Sequence, residues 1–173
     1  MNAGAAPRGP LGRFVVAHLG SRQVSRVVYG SIIGLALVVA LEAHPPPAGA
    51  VVASLLGTAV AVGLAELYSE LVGFETTRRR KVGRTELREL GVDIAAVAFG
   101  IAFPAVFFLL AILGALEDET AFTVAKWTGV GLIGVYGFAG ARLSGAGLPV
   151  ALVQAAAVAL IGAALILLKS LVH

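Results

Sequence analysis

Long apolar stretches separated by short polar segments dominate the pattern along this chain. The stretches occupy about residues 27–43, 49–70, 94–116, 122–142 and 149–169. Each is close to the ~20 residues that a helix needs to cross ~30 Å of hydrocarbon. None shows the alternation of apolar and polar positions that is typical of a transmembrane β-strand. The pattern predicts an all-α polytopic membrane helix bundle with five transmembrane helices, formed by residues 27–172.

The composition agrees with this class. Of the 173 residues, 58% are hydrophobic and 13% are charged, whereas soluble domains average about 25% charged residues. So little charge excludes an ordinary water-soluble globule. The chain contains no cysteine, which excludes disulfides, thiolate metal sites and cysteine catalysis.

Prolines and small residues indicate how the helices end and pack. Pro45, Pro46 and Pro47 end the first span, and Pro104 predicts a kink or a local opening in the third. Small residues four positions apart predict close contacts between helices, because they let backbones approach. These rows are Gly30/Gly34, Gly57/Ala61/Ala65, Gly137/Ala141 and Ala155/Ala159/Ala163.

The cations are unevenly distributed and predict the orientation. Residues 1–26 are interpreted as a cytoplasmic basic tail and residues 75–90 as a cytoplasmic basic loop. With the N-terminus inside, the cytoplasmic segments hold eleven of the 13 Lys and Arg residues and the outer loops hold none. Cytoplasmic segments carry such an excess in membrane proteins, so the sequence predicts a cytoplasmic N-terminus. We expect a multi-pass protein of the inner (plasma) membrane. The basic balance predicts no nucleic-acid partner, because no basic face with groove-reading elements lies outside the apolar runs.

Three carboxylates are predicted to lie at the cytoplasmic end of the bundle. Glu66 and Glu70 are one helical turn apart, and Asp93 begins the third span at the same depth. Ionisable groups at membrane depth are costly, and converging carboxylates would suit a divalent cation or a proton relay. The alternative is a set of solvated ion pairs with nearby arginines. Both interpretations stay open, as does the identity of any metal.

Other charged groups allow further interpretations. Lys126 either reaches the headgroups beside Trp127 or is the counter-ion of Glu42 or of the acids at 117–119. Cations near an anionic membrane surface contribute about 1 kcal/mol each, so the basic loop could contact lipid or a protein partner. Its cations are Arg78, Arg79, Arg80, Lys81, Arg84 and Arg88.

The sequence contains no pattern typical of an enzyme. There is no Walker-type phosphate loop, nucleophile elbow, zinc-protease helix motif or Ser/His/Asp set on suitable elements. His18, His44 and His173 have no metal-ligand spacing. We therefore expect no catalytic activity and no cofactor.

Several segments resemble the vacuolar iron transporter family. The run Phe99–Pro104, residues 137–145 and the fifth span with Gly162 are similar to its C-terminal half. Val28-Tyr29-Gly30 and Ala65-Glu66-Leu67-Tyr68 are similar to its helix-one and helix-two motifs. The resemblance implies five membrane helices, a homodimer, exchange of ferrous or manganous ions for protons, and Glu66 as a ligand.

The chain departs from that family at two places. Ile32-Ile33 stands where the family has an Asn-Asp pair, and a short basic loop replaces its glutamate-rich domain. The Arg-rich, Ala-rich style and the ending at residues 168–173 resemble small uncharacterised integral membrane proteins of actinobacteria.

Two functions are thus predicted. The first is a transporter-like bundle for a small cation or proton. Glu66 would be its central residue, and Glu70 and Asp93 would be the ligands at which the ion enters. The second is a non-transporting membrane scaffold that binds lipid or a partner.

Overall fold

Six helices make up the structure, a computed structural model that describes residues 21–78 and 81–172. Most of the predicted basic tail, with Arg79 and Arg80 of the basic loop, lies outside the described residues. The helices are α1 Ser21–Leu41, α2 Ala48–Arg78, α3 Arg84–Ala102, α4 Ala105–Ile112, α5 Asp118–Leu143 and α6 Leu148–Val172. No strand occurs in these ranges, so the all-α prediction is confirmed.

Two or three of these elements are long and apolar enough to cross a membrane. Gln23–Leu41 of α1 and the whole of α2 qualify alone, and α3 with α4 forms a third candidate that bends by 49°. The bend contains Pro104, which has no N–H to continue the helical hydrogen bonds. The predicted kink in the third span is confirmed, and the apolar helices indicate a membrane protein.

The helices extend beyond the apolar stretches. α1 begins at Ser21, ahead of residue 27, where the apolar stretch begins. Because α2 continues to Arg78 and α3 begins at Arg84, the predicted loop of residues 75–90 is mostly helical. Polarity marks where a chain leaves lipid, whereas a helix continues into water as long as its backbone hydrogen bonds continue. Gly83 precedes α3, and its N–H donates to the Glu86 carboxylate at 2.6 Å.

α1 lies at the centre of the helix arrangement. It packs mainly against α3 and α5, whereas α2 packs against α3 and α4 and has few contacts with α1. Side chains of α1, α2, α4 and α5 form one apolar core that includes Val38, Leu55, Phe108 and Phe122. The rings of Phe108 and Phe122 meet edge to face, with centroids 4.8 Å apart.

The backbones of α1 and α3 approach too closely for side chains between them. A Cβ on Gly100 would lie 2.5 Å from the Val27 carbonyl oxygen and 2.6 Å from the Ser31 nitrogen. A Cβ on Gly34 would lie 2.8 Å from the Ile101 oxygen, and one on Gly30 would overlap the Val97 carbonyl. The predicted Gly30/Gly34 row therefore forms the α1–α3 contact.

Two further rows, Gly137/Ala141 and Gly57/Ala61/Ala65, differ in what they contact. Gly137 lies against α6, because a Cβ on it would be 3.5 Å from Val158 and 3.6 Å from Ala155. The row Gly57/Ala61/Ala65 faces away from the bundle, and all three residues are exposed. Only the first of these two rows serves packing within the chain.

We predict that Gly100→Ala destabilises the protein, whereas Gly57→Ala does not. Forcing a methyl group into a packed interface costs about 1–3 kcal/mol, while a Cβ on Gly57 would meet nothing within 4 Å. An alanine in an open helix position is neutral or stabilises by up to about 1 kcal/mol. Thermal unfolding in one detergent measures both variants, and equal midpoints would contradict the close backbone contact.

Candidate functional site

Charged side chains of α1 and α2 meet at one end of the bundle. Arg26 lies near the start of α1, and Glu66 and Glu70 lie one turn apart on α2. The Arg26 Nη1 donates to Glu66 Oε2, and Nη2 donates to Glu70 Oε1 at 2.7 Å. The guanidinium fork thus bridges two carboxylates with charge-assisted hydrogen bonds.

Asp93 of α3 adds a third carboxylate to this group. It is 7% exposed, and its charge acts on Arg26. The Arg26 and Glu66 side chains are about one-fifth exposed and that of Glu70 is 39% exposed. Glu66 and Glu70 therefore have an ion-pair partner, but it comes from α1 rather than from the basic segment after α2.

The arrangement places a cation of the protein between the carboxylates. In the ranges that the structure covers, no group of three or more His, Cys, Asp or Glu residues could hold a metal ion. The guanidinium of Arg26 occupies the position between Glu66 and Glu70 that such an ion would need. A proton on either glutamate, or a competing cation, would have to release Arg26.

Two cavities open beside the cluster. One, of about 640 Å³, lies between the end of α2 and the start of α3 and reaches Glu70 and Asp93. The other, of about 480 Å³, lies between α1 and α2 and reaches Arg26, Glu66 and Glu70. Because Glu70 borders both cavities, it lies between the exposed helix ends and the Arg26 bridge.

A second ion pair lies at the opposite end of α1. The Lys126 Nζ donates to Glu42 Oε1 at 2.5 Å, and the two side chains are 16% and 25% exposed. Of the two interpretations of Lys126, the structure supports the one that makes Glu42 its counter-ion. Trp127 is 64% exposed, as expected for an aromatic ring at a membrane interface.

These contacts define two charged layers. Arg26 of α1 and Glu42, the residue after α1, are separated by about 24 Å at 1.5 Å per residue, and so are Lys126 and Arg142 on α5. A Cβ on Gly140 of α5 would lie 3.0 Å from Val24 Cγ1, while Lys126 reaches Glu42 at the other end. α5 therefore runs antiparallel to α1 along its whole length.

Sequence reasoning missed Arg26 as the centre of the cluster. It placed this residue in the cytoplasmic basic tail, because the N-terminal segment is rich in arginine. Arg26 is 40 and 44 positions from its partners, so no local spacing reveals the bridge. The available signal was an arginine at the edge of one apolar helix and acids at the adjoining edge of the next.

Comparisons with protein-family models, with curated proteins and with solved structures found no match to this chain. The resemblance to vacuolar iron transporters and the absence of enzymatic activity stay predictions.

Proposed function

We propose that the chain forms a five-span membrane protein with a cytoplasmic N-terminus. α5 is rich in glycine and contains Lys126, which lowers its hydropathy, but it lies along the whole of α1 between the two charged layers. α6 packs along α5, where Gly162 lies against Val130 and Ile133. A helix packed along a membrane span over its full length shares its environment, which supports spans for α5 and α6 as well.

The charge distribution supports the orientation within this proposal. Arg26 and Arg142 lie at one end, which we call the Arg26 end, and so do Arg78, Lys81 and Arg84 around the α2–α3 connection. Lys126 lies with Glu42 at the other end. The end with more Lys and Arg is cytoplasmic in membrane proteins. The protein would then reside in the inner (plasma) membrane.

This topology can be measured with single cysteines, because the natural chain has none. We expect Thr120→Cys to react with a membrane-impermeant maleimide from outside spheroplasts. Thr85→Cys and Ser144→Cys should react only after permeabilisation, because they lie at the cytoplasmic ends of α3 and α5. Labelling of residues 120 and 144 from the same side would contradict a membrane-spanning α5.

Within this bundle we propose transport of a small cation or proton, gated by the Arg26 bridge. The observation that carries the proposal is that Arg26 joins two carboxylates of a helix with which α1 otherwise has few contacts. Neutralising Glu66 or Glu70 would remove that tie between α1 and α2. The cavity between α1 and α2 would then open into the cavity between α2 and α3, which Glu70 also borders.

Flux into proteoliposomes tests the gate, with ferrous iron, manganese and protons as the ions offered. We expect Glu66→Gln to lower flux about tenfold or more, equivalent to about 1.4 kcal/mol on the barrier. The amide can neither take up a proton nor bind a cation in place of Arg26, so the Arg26 bridge can no longer open and close with the transported ion. Arg26→Gln should also change the flux, because it removes the guanidinium that competes with the transported ion for Glu66 and Glu70.

The matched control for flux is Glu75→Gln, which changes an exposed acid of the same helix outside the cluster. It should leave flux unchanged. Normal flux in both Glu66→Gln and Arg26→Gln would refute the gate.

The proposal includes a homodimer, as the family resemblance implies. Small exposed residues follow each other at every fourth position along α2, at Gly49, Ala53, Gly57, Ala61, Ala65, Ser69 and Gly73. Beside this row runs a ridge of exposed large side chains that includes Leu56, Val60 and Leu64. A ridge next to a groove of small residues is self-complementary, so two copies of α2 could pack together.

Cysteine cross-linking tests this interface. We expect Ala61→Cys to form a disulfide-linked dimer in membranes under mild oxidation, because the same residue of a second copy would lie opposite. Ala95→Cys, equally exposed but on α3, is the control and should stay monomeric. Monomers from both variants would contradict a dimer through α2.

A second candidate function is a non-transporting scaffold that binds lipid or a partner. The observation that favours it is the extension of α2 and α3 beyond the Arg26 cluster, which carries exposed Arg78, Lys81, Arg84 and Arg88. Absence of flux for every ion, with a correctly folded protein, would favour this function.

A further inference from the structure

The first half of α3 carries opposite charges on opposite faces. Helical residues advance by about 100° each, which places Arg84 and Arg88 on one side and Glu86, Glu89 and Asp93 on the other. Those three acids line the cavity between α2 and α3. Arg88 is exposed on the outer side, and Arg84, the first residue of the helix, is exposed and also borders the cavity mouth.

The outer side continues as an apolar surface towards the middle of the bundle. Leu87, Val92 and Phe99 are 50%, 45% and 47% exposed. Measured from Asp93, Arg88 lies about 8 Å and Arg84 about 14 Å along the helix axis. The headgroup layer is about 5–8 Å thick on each side of the hydrocarbon. Asp93 begins the predicted third span, at the edge of the hydrocarbon in the proposed topology. Arg88 therefore lies at headgroup depth, and the long side chain of Arg84 can reach back to it.

The two arginines are unfavourable neighbours as they stand. Like charges one turn apart destabilise a helix, and the positive end of the helix dipole also disfavours a cation at Arg84. Neither guanidinium has an ion-pair partner among residues 21–78 and 81–172. An anion shared between them would offset both terms.

We propose that this face, formed by Arg84, Leu87, Arg88, Val92 and Phe99, binds an anionic phospholipid. Its phosphate lies between the two guanidinium groups, and an acyl chain lies along Val92 and Phe99. The inference rests on the part of the proposed topology in which α3 enters the bilayer from the Arg26 end. It does not depend on transport.

An acidic protein partner would contact different cations. Arg78 lies about 18 Å beyond Glu66 along α2, past the headgroup layer. Its guanidinium lies over the Phe74 ring at 5.7 Å from the centroid. Arg78 is therefore the matched control, an arginine in water beyond the headgroups. A site at headgroup depth does not require Arg78, whereas general attraction to a basic segment does.

The test compares the purified chain, Arg84→Gln/Arg88→Gln and Arg78→Gln in neutral detergent. Phosphatidylglycerol or phosphatidylcholine is added, and native mass spectrometry and thermal unfolding are recorded. We expect phosphatidylglycerol to remain bound and to raise the midpoint in the unchanged chain and in Arg78→Gln. The double variant should lose both effects, and its helical circular dichroism should be unchanged. Glycerol phosphate, which offers the same anion without acyl chains, should not raise the midpoint.

Three results would overturn the site. Equal phosphatidylglycerol retention by the double variant would show that these arginines do not hold the lipid. An equal loss in Arg78→Gln would show diffuse attraction. Binding of a glutamate-rich peptide that requires Arg84 and Arg88, without lipid retention, would assign the face to a protein partner. The cysteine labelling above tests the topology separately, so failure of either proposal can be distinguished.

Discussion

The backbone contact between α1 and α3 determines where the charged residues of this protein lie. Lipid gives no hydrophobic driving force between helices, so association depends on close van der Waals packing. Gly30 and Gly34 on α1 and Gly100 on α3 allow backbone atoms to touch. Such a contact fits at one axial position only, and a shift of α1 would place a side chain against a carbonyl. This register brings Arg26 to the level of Asp93.

Ion pairs form at the two ends of α1 once the α1–α3 contact has fixed its axial position. Arg26 reaches α2 at one end and Glu42 reaches α5 at the other. Desolvation of partly buried charges offsets much of their attraction, so such pairs contribute little net stability. Removing one partner is costly, however, because it leaves a charge without its counter-ion. The pairs therefore select neighbours for α1 more than they hold the bundle together.

The same property makes the Arg26 bridge suited to a conformational role. α2 is held mainly by α3 and α4, while α1 is held by α3 and α5. The two groups share α3 and one apolar core, but α1 and α2 themselves have few contacts. A change of charge at Glu66 or Glu70 thus acts where α1 and α2 have few other contacts, and a small free-energy change there can alter the gap between them.

Apolar patterning by itself determined the helical class, the membrane environment and the break at Pro104, because these follow from local hydropathy and from the missing proline N–H. It also placed Glu66, Glu70 and Asp93 near one end, since helix length fixes depth. It did not determine helix ends such as Arg78, because a helix can continue into water. Only the tertiary structure decided that Arg26 bridges Glu66 and Glu70 and that Lys126 pairs with Glu42. Those partners lie on different helices, and their pairing depends on which helix faces meet and at what axial position.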